Sequence, residues 1–172
     1  ASHLPERSGT GGFNDNPAFK AEGKGYQPRT QYGKGGSEKV KDVENIVLKF
    51  RPDLINSVSP TPSTGTPIIA NVNGKNLVIS GNGRTLAQKL IYSEAHGDEN
   101  TAKAIKAHLM ENASAFGLSP DEVNKFKNPI LVRRLTDKYE PEERLRIARV
   151  ANEPEGTTLV PSEVAAQAAS DI

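Results

Sequence analysis

The chain has 172 residues, 35% of them hydrophobic, with 15 glycines, 12 prolines and no tryptophan, enough for one domain with a core and a sizeable polar segment beside it. Its formal net charge of +1 excludes a global cationic field, although basic residues lead in the first half and acidic ones in the second. The absence of cysteine excludes a disulfide framework, a thiolate nucleophile and a Cys-type zinc site.

The three histidines, His3, His96 and His108, are scattered without metal-ligand spacing. No apolar run approaches membrane-spanning length and no secretory signal is visible. A cytoplasmic protein is therefore expected, and a start at Ala1-Ser2-His3 without methionine is expected either of a cloning scar or of an excised piece of a longer parent.

Residues 1–37 read as a flexible glycine-rich arm. Between Ser8 and Ser37 only Phe13, Phe19, Tyr26 and Tyr32 are sizeable apolar groups, too little to offset ordering costs of roughly 1–2 kcal/mol per residue except where an aromatic docks. Gly33-Lys34-Gly35-Gly36-Ser37 has a Gly-Lys pair but no preceding strand, which argues against a phosphate loop. Lys20, Lys24, Arg29, Lys34, Lys39 and Lys41 interleave with Tyr26 and Tyr32. They form either a single-strand contact surface or an ordinary solvated tail.

From Glu38 the period is helical, with Val40, Val43, Ile46, Val47 and Phe50 on one face, Ser37 as N-cap and Pro52 as the stop. A loop containing Ser57, Ser59, Thr61, Ser63 and Thr64 follows. Pro67–Val72 and Asn76–Ser80 read as strands joined by Asn73-Gly74, a type I′ hairpin signal. A helix is predicted over 84–95, with Leu86, Ala87, Leu90 and Ile91 inward. Further helices are predicted over 100–115 and 119–126, the latter opening on Ser119-Pro120-Asp121-Glu122. A strand over 130–135, a helix over 140–152 and a last helix from Pro161 complete the chain.

Gly81-Asn82-Gly83-Arg84 is the stretch with chemical content. The two glycines permit close approach to the main chain, and the turn opens onto a helix whose first N–H groups carry partial positive charge. Ser80, Asn82 and Thr85 add polar groups and Arg84 a five-donor fork, a set suited to an anion, phosphate by preference. The alternative is a tight strand–helix connection with Arg84 merely solvated. The spacing is not that of a dinucleotide fold. Arg133 and Arg134, adjacent on a strand, must point to opposite faces. Asp137, Glu140, Glu142 and Glu143 suit either metal binding or the acidic start of a helix. Arg144, Arg146 and Arg149 step along that helix as a solvated face or as phosphate contacts.

Taken in order, the hairpin, the Gly81–Arg84 turn, the helix, the later strand and Leu159-Val160-Pro161-Ser162-Glu163-Val164-Ala165 resemble the ParB/sulfiredoxin superfamily. The closer likeness is to the DdrB-like ParB domains of phage and plasmid proteins. The resemblance runs from about Val40 to Asp171, with a helical insertion at about 96–128, and implies a domain over 38–172. It implies an α+β fold: a small mixed sheet whose hairpin leads into the turn and helix, packed by several helices.

In that family the Gly-x-x-Arg turn receives nucleotide phosphates, which carries over to Gly81–Arg84 with Ser80, Thr85 and Asn152 as neighbours. It implies nucleotide or DNA as partner, and other domains of a larger parent. It also implies Mg2+ with ATP or CTP, near Asn152 and Glu153. Departures bear on activity. Sulfiredoxin chemistry needs a turn cysteine that this chain lacks. Ala151 replaces the acidic residue before Asn152, Pro154-Glu155-Gly156 replaces the following arginine, and Val160 stands where ParB proteins usually have serine. Phosphate binding in a cytoplasmic DNA-handling protein is thus the leading expectation. The alternatives are a metal-dependent nuclease or nucleoside triphosphatase drawing on Glu153 or Asp137, and a non-catalytic interaction domain of a larger phage protein.

Overall fold

The computed structural model describes residues 3–7, 12–17, 38–57, 64–94, 97–136 and 139–152. Ser37, most of the arm, Asp137, Glu153 and the Leu159–Ala165 segment lie outside them.

The fold is α+β. Strands β1 (His3–Arg7) and β2 (Phe13–Asp15) pair antiparallel, with Leu4 opposite Asn14. The glycine-rich start is therefore not loop throughout. Phe13 is buried against Val40 and Val43 of helix α1 (Glu38–Leu48) and against Leu86, Ala87 and Leu90. Burying one large aromatic supplies about 1.5–3 kcal/mol, which helps hold the ribbon against the domain.

Pro52 does more than end a helix. Arg51 before it is extended, as proline requires of its predecessor, and Pro52 opens a single turn, α2 (Pro52–Ile55). Strands β3 (Ile68–Val72) and β4 (Lys75–Ser80) form the predicted hairpin. Asn73 and Gly74 at its tip both have positive φ, 51° and 79°, as a type I′ turn demands.

Helix α3 (Asn82–Ile91) starts earlier and ends sooner than predicted. It starts early because Gly81 takes the left-handed conformation and turns the chain at once. It ends early because its last carbonyls find other donors: Ser93 Oγ bonds the Leu90 carbonyl at 2.8 Å and the Asp98 N–H bonds that of Ile91 at 3.0 Å. The stretch expected as an insertion is helical: α4 (Glu99–Glu111), a 3₁₀ turn at Ala113–Phe116, and α5 (Pro120–Asn124). Ser119 and Glu122 complete a capping box at α5.

Strand β5 is only Arg133–Arg134, pairing parallel with Ile68 and Ile69. The predicted residues before it, Ile130 to Val132, have no regular secondary structure, and the chain just ahead of them is tied down where Tyr92 Oη donates to the Pro129 carbonyl at 2.7 Å. The sheet order is β4-β3-β5. Helix α6 (Pro141–Asn152) closes it, with Ala148 packed against Ile68, Ala70 and Ile79.

Helix α3 is the hub. Seven of its ten residues are buried, and it serves two apolar clusters. Leu86, Ala87 and Leu90 meet α1 and Phe13; Ile91 meets Ile105, Leu109, Ala113 and Val123. Anything anchored at its first turn is held rigidly.

Candidate functional site

Gly81 joins β4 to α3 with φ 82° and ψ 31°. A Cβ there would stand 2.9 Å from Arg84 Nη2, 3.1 Å from its Nε and 3.0 Å from Pro67 Cα. Glycine is needed for its backbone angle and for space: the guanidinium of Arg84 folds back over it. Arg84 Nη1 donates to the Gly65 carbonyl at 2.7 Å, so the side chain crosses from the helix start to the loop ahead of β3.

The first bond of the helix runs from the Thr85 N–H to the Gly81 carbonyl at 2.9 Å. The N–H groups of Asn82, Gly83 and Arg84 precede it and fall outside the helical ladder. Thr85 Oγ1 donates to the same Gly81 carbonyl at 3.0 Å, and Ser80, Asn82 and Thr85 are 1%, 4% and 6% exposed. These three shape the turn from within, while Gly81, Gly83 and Arg84 keep partial exposure.

Arg133 comes to the same place from β5. Its N–H donates to the Pro67 carbonyl at 2.8 Å. Burial, first, and the positive charge of Arg133, second, push the Arg84 pKa down; burial pushes that of Arg133 down. Both remain charged at neutral pH. The adjacent arginines on β5 do part company, for Arg134 is exposed and donates to Asn76 Oδ1 at 3.2 Å.

The other sequence candidates are dispersed. Asn152 ends α6, with its side chain outside the described residues, as are Asp137 and Glu153. Glu140, Glu142 and Glu143 are exposed around the start of α6. Among the described residues no group of three or more His, Asp or Glu side chains could hold a metal ion. Around the turn the described cations are two guanidiniums, whereas magnesium wants carboxylate or phosphate oxygens. The described site does not fit a protein-held magnesium ion.

Arg144 Nη1 donates to the Tyr139 carbonyl at 2.5 Å and Arg146 lies 3.8 Å from Glu143. Lys39 pairs with Asp42 at 3.3 Å, and Lys41 is exposed. Of the serines and threonines in the loop ahead of the hairpin, Ser57 donates to the Leu54 carbonyl at 2.8 Å and Thr64 is exposed; Ser59, Thr61 and Ser63 lie outside the described residues. His108 Nε2 lies 3.4 Å from the Asn56 carbonyl beside Phe116, a packing position.

Sequence reasoning missed the Gly65 carbonyl, since no spacing shows which carbonyl a side chain nineteen residues away will reach. It also missed a cavity of about 370 Å³ lined by Leu109, Leu118, Val123, Phe126 and Leu131. Phe126 in its lining remains 61% exposed, which only the fold reveals.

A family model described as the ddrB-like ParB superfamily domain matches residues 15–136. The chain belongs to this family. The ParB-like match takes in the hairpin, the Gly81 turn, Arg84 and Arg133, and runs through the helical stretch at 96–128; α6 lies beyond it. No curated protein and no solved structure matches the chain. Among the described residues no helix is long and apolar enough to cross a membrane.

Proposed function

We propose that this ParB-like domain binds a phosphate of a nucleotide or nucleic acid at the Gly81–Thr85 turn, in a cytoplasmic DNA-handling protein of phage or plasmid origin. The observation that carries the reading is the half-buried Arg84 guanidinium, folded over Gly81 at the mouth of α3 with Arg133 close enough to depress its pKa. Two cations held together at a helix start favour an arriving anion in three ways. The helix dipole contributes roughly 0.3–1 kcal/mol. The N–H groups ahead of the Thr85 bond lie outside the helical ladder. Guanidinium–phosphate bonds are charge-assisted and directional.

Magnesium would have to arrive on the phosphates of a ligand such as ATP or CTP. A nuclease or triphosphatase would draw on Glu153 or Asp137.

Calorimetric titration of nucleoside triphosphates and of a single-stranded oligonucleotide tests the proposal, comparing the parent protein with Arg84→Ala. Losing one charge-assisted contact of about 1.5–3 kcal/mol should weaken binding roughly ten- to a hundredfold. Equal heats for both proteins, or none for either, would remove the site.

A further inference from the structure

Helix α6 closes one face of the sheet, where Ala148 packs against Ile68, Ala70 and Ile79. Strand alternation and register put a different set on the opposite face: Ile69 with its partners Val78 and Arg134, and Asn71 with its partner Asn76. Asn71, Asn76 and Arg134 are exposed there, beside the half-buried Ile69 and Val78.

These polar groups hold one another in a fixed order. The Gly74 N–H donates to Asn71 Oδ1 at 3.1 Å. The other end of that amide, Nδ2, is therefore the one that donates to Asn76 Oδ1, at 3.4 Å. Arg134 Nη2 crosses β3 to the same Asn76 oxygen at 3.2 Å, and a guanidinium can only donate. Both side-chain oxygens of the face are thus taken from within. Donors are left over: among the described residues neither Asn76 Nδ2 nor the rest of the Arg134 fork meets an acceptor. The charge of Arg134 is met only by a neutral amide. Strands β3, β4 and β5 contain no Asp or Glu, and neither does the sequence from Gly65 to Ser93.

We propose that this sheet face docks the phosphodiester backbone of a nucleic acid, with Arg134 and Asn76 as its phosphate contacts. It lies apart from the Gly81 turn and does not depend on the turn binding phosphate.

The physical reason is the mismatch between donors and acceptors. A surface with spare N–H groups, one fixed positive charge and no carboxylate is complementary to an anion rich in acceptors. Phosphate oxygens commonly take hydrogen bonds from arginine and asparagine side chains. An acidic protein segment would match the charge, but protein interfaces centre on a desolvated apolar or aromatic anchor. Here Ile69 and Val78 are already half covered, and no aromatic stands on the three strands. Without an aromatic there is no stacking platform for bases, so the contact runs to the backbone and is indifferent to sequence. Asn76 holds the guanidinium across β3 beforehand, which lessens the freedom lost on binding.

The test is fluorescence anisotropy on the full chain, with a labelled oligothymidylate and a labelled duplex of equal length, across a range of salt. The parent protein should bind with an affinity that falls as salt rises; whichever probe binds shows which form of nucleic acid the face takes. Arg134→Ala should weaken binding severalfold at low salt. It should also make the log–log salt slope shallower by about 0.7 for a single strand or about 0.9 for a duplex, as the loss of one phosphate contact requires. Arg134→Lys should keep the slope. Asn76→Asp retains the arginine but sets a carboxylate against it, so binding should fall at least as far as in Arg134→Ala. Circular dichroism checks that each variant folds. The same loss in an Arg84→Ala background separates this face from the turn. A parent protein that binds neither oligonucleotide overturns the inference, as does a folded Arg134→Ala with unchanged affinity and slope. Oligoglutamate bound as tightly as either oligonucleotide would assign the face to an acidic protein instead.

Discussion

Arg84 donates from Nη1 to the carbonyl of Gly65, 2.7 Å away. One side chain thereby joins the first turn of α3 to the loop that feeds β3. The bond fixes the guanidinium over Gly81, so the conformation of that glycine and the position of the charge are one property.

Gly81→Ala should accordingly damage both. A left-handed conformation costs an ordinary residue roughly 1–2 kcal/mol. The new Cβ would also meet Pro67 Cα at 3.0 Å, a backbone atom that cannot step aside. The Arg84 tip at 2.9 Å can move, but only by leaving its place. Urea unfolding should show a loss of about 2–3 kcal/mol. Gly74→Ala, also at positive φ but in open space, should lose only the conformational part.

Gln88 points the other way. It is fully buried in α3; its Nε2 reaches the Arg84 carbonyl at a long 3.4 Å and its Oε1 has no partner among the described residues. A buried acceptor left unpaired costs roughly 1–3 kcal/mol. Gln88→Met, close in shape and apolar, should stabilise the protein by about 1 kcal/mol, read as a raised melting temperature.

Tyr92 should titrate late. Burial pushes its pKa up to about 12, and its hydroxyl holds the Pro129 carbonyl at 2.7 Å. A raised folded-state value means its contribution is intact below the ordinary tyrosine pKa of about 10 and is lost as pH rises through about 12. Ultraviolet titration of the four tyrosines should resolve one late component that Tyr92→Phe removes.

Acid should loosen α4 and α5. Asp98 caps α4 by accepting from the Thr101 hydroxyl at 2.8 Å and from the N–H groups of Asn100 and Thr101. Its pKa is lowered chiefly by the Thr101 hydroxyl, and that of Glu122 chiefly by the Ser119 N–H. Carboxyls depressed in the fold stabilise it above their unfolded pKa, about 4, and lose that effect as pH falls through the folded value. Protection of the α4 amides, as the ratio of intrinsic to observed exchange rate, should therefore fall below about pH 4. Asp98→Asn, which keeps a capping oxygen without titrating, should flatten that dependence.

Much of the fold could be read from neighbouring residues. Asn73-Gly74 dictates the hairpin because both positions need positive φ. Ser119 and Glu122 announce α5 because each satisfies the other's N–H. The inward face of α3 follows from the spacing of Leu86, Ala87, Leu90 and Ile91. Gly81 and Arg84 stood out as a pair because a glycine turn ahead of a helix is a local arrangement, written in consecutive residues.

Tertiary structure decided the rest. That an aromatic of the arm could dock was legible, but Phe13 became core only because α1 and α3 together offered it an apolar seat. Gln88 was enclosed because α3 is packed on nearly every side, beyond what its own periodicity specifies. Of Arg133 and Arg134, strand alternation guaranteed that they diverge, but only the β3–β5 pairing chose Arg133 to stand near Arg84. Local conformational preference travels with adjacent residues; the meeting of distant groups is settled by which surfaces pack.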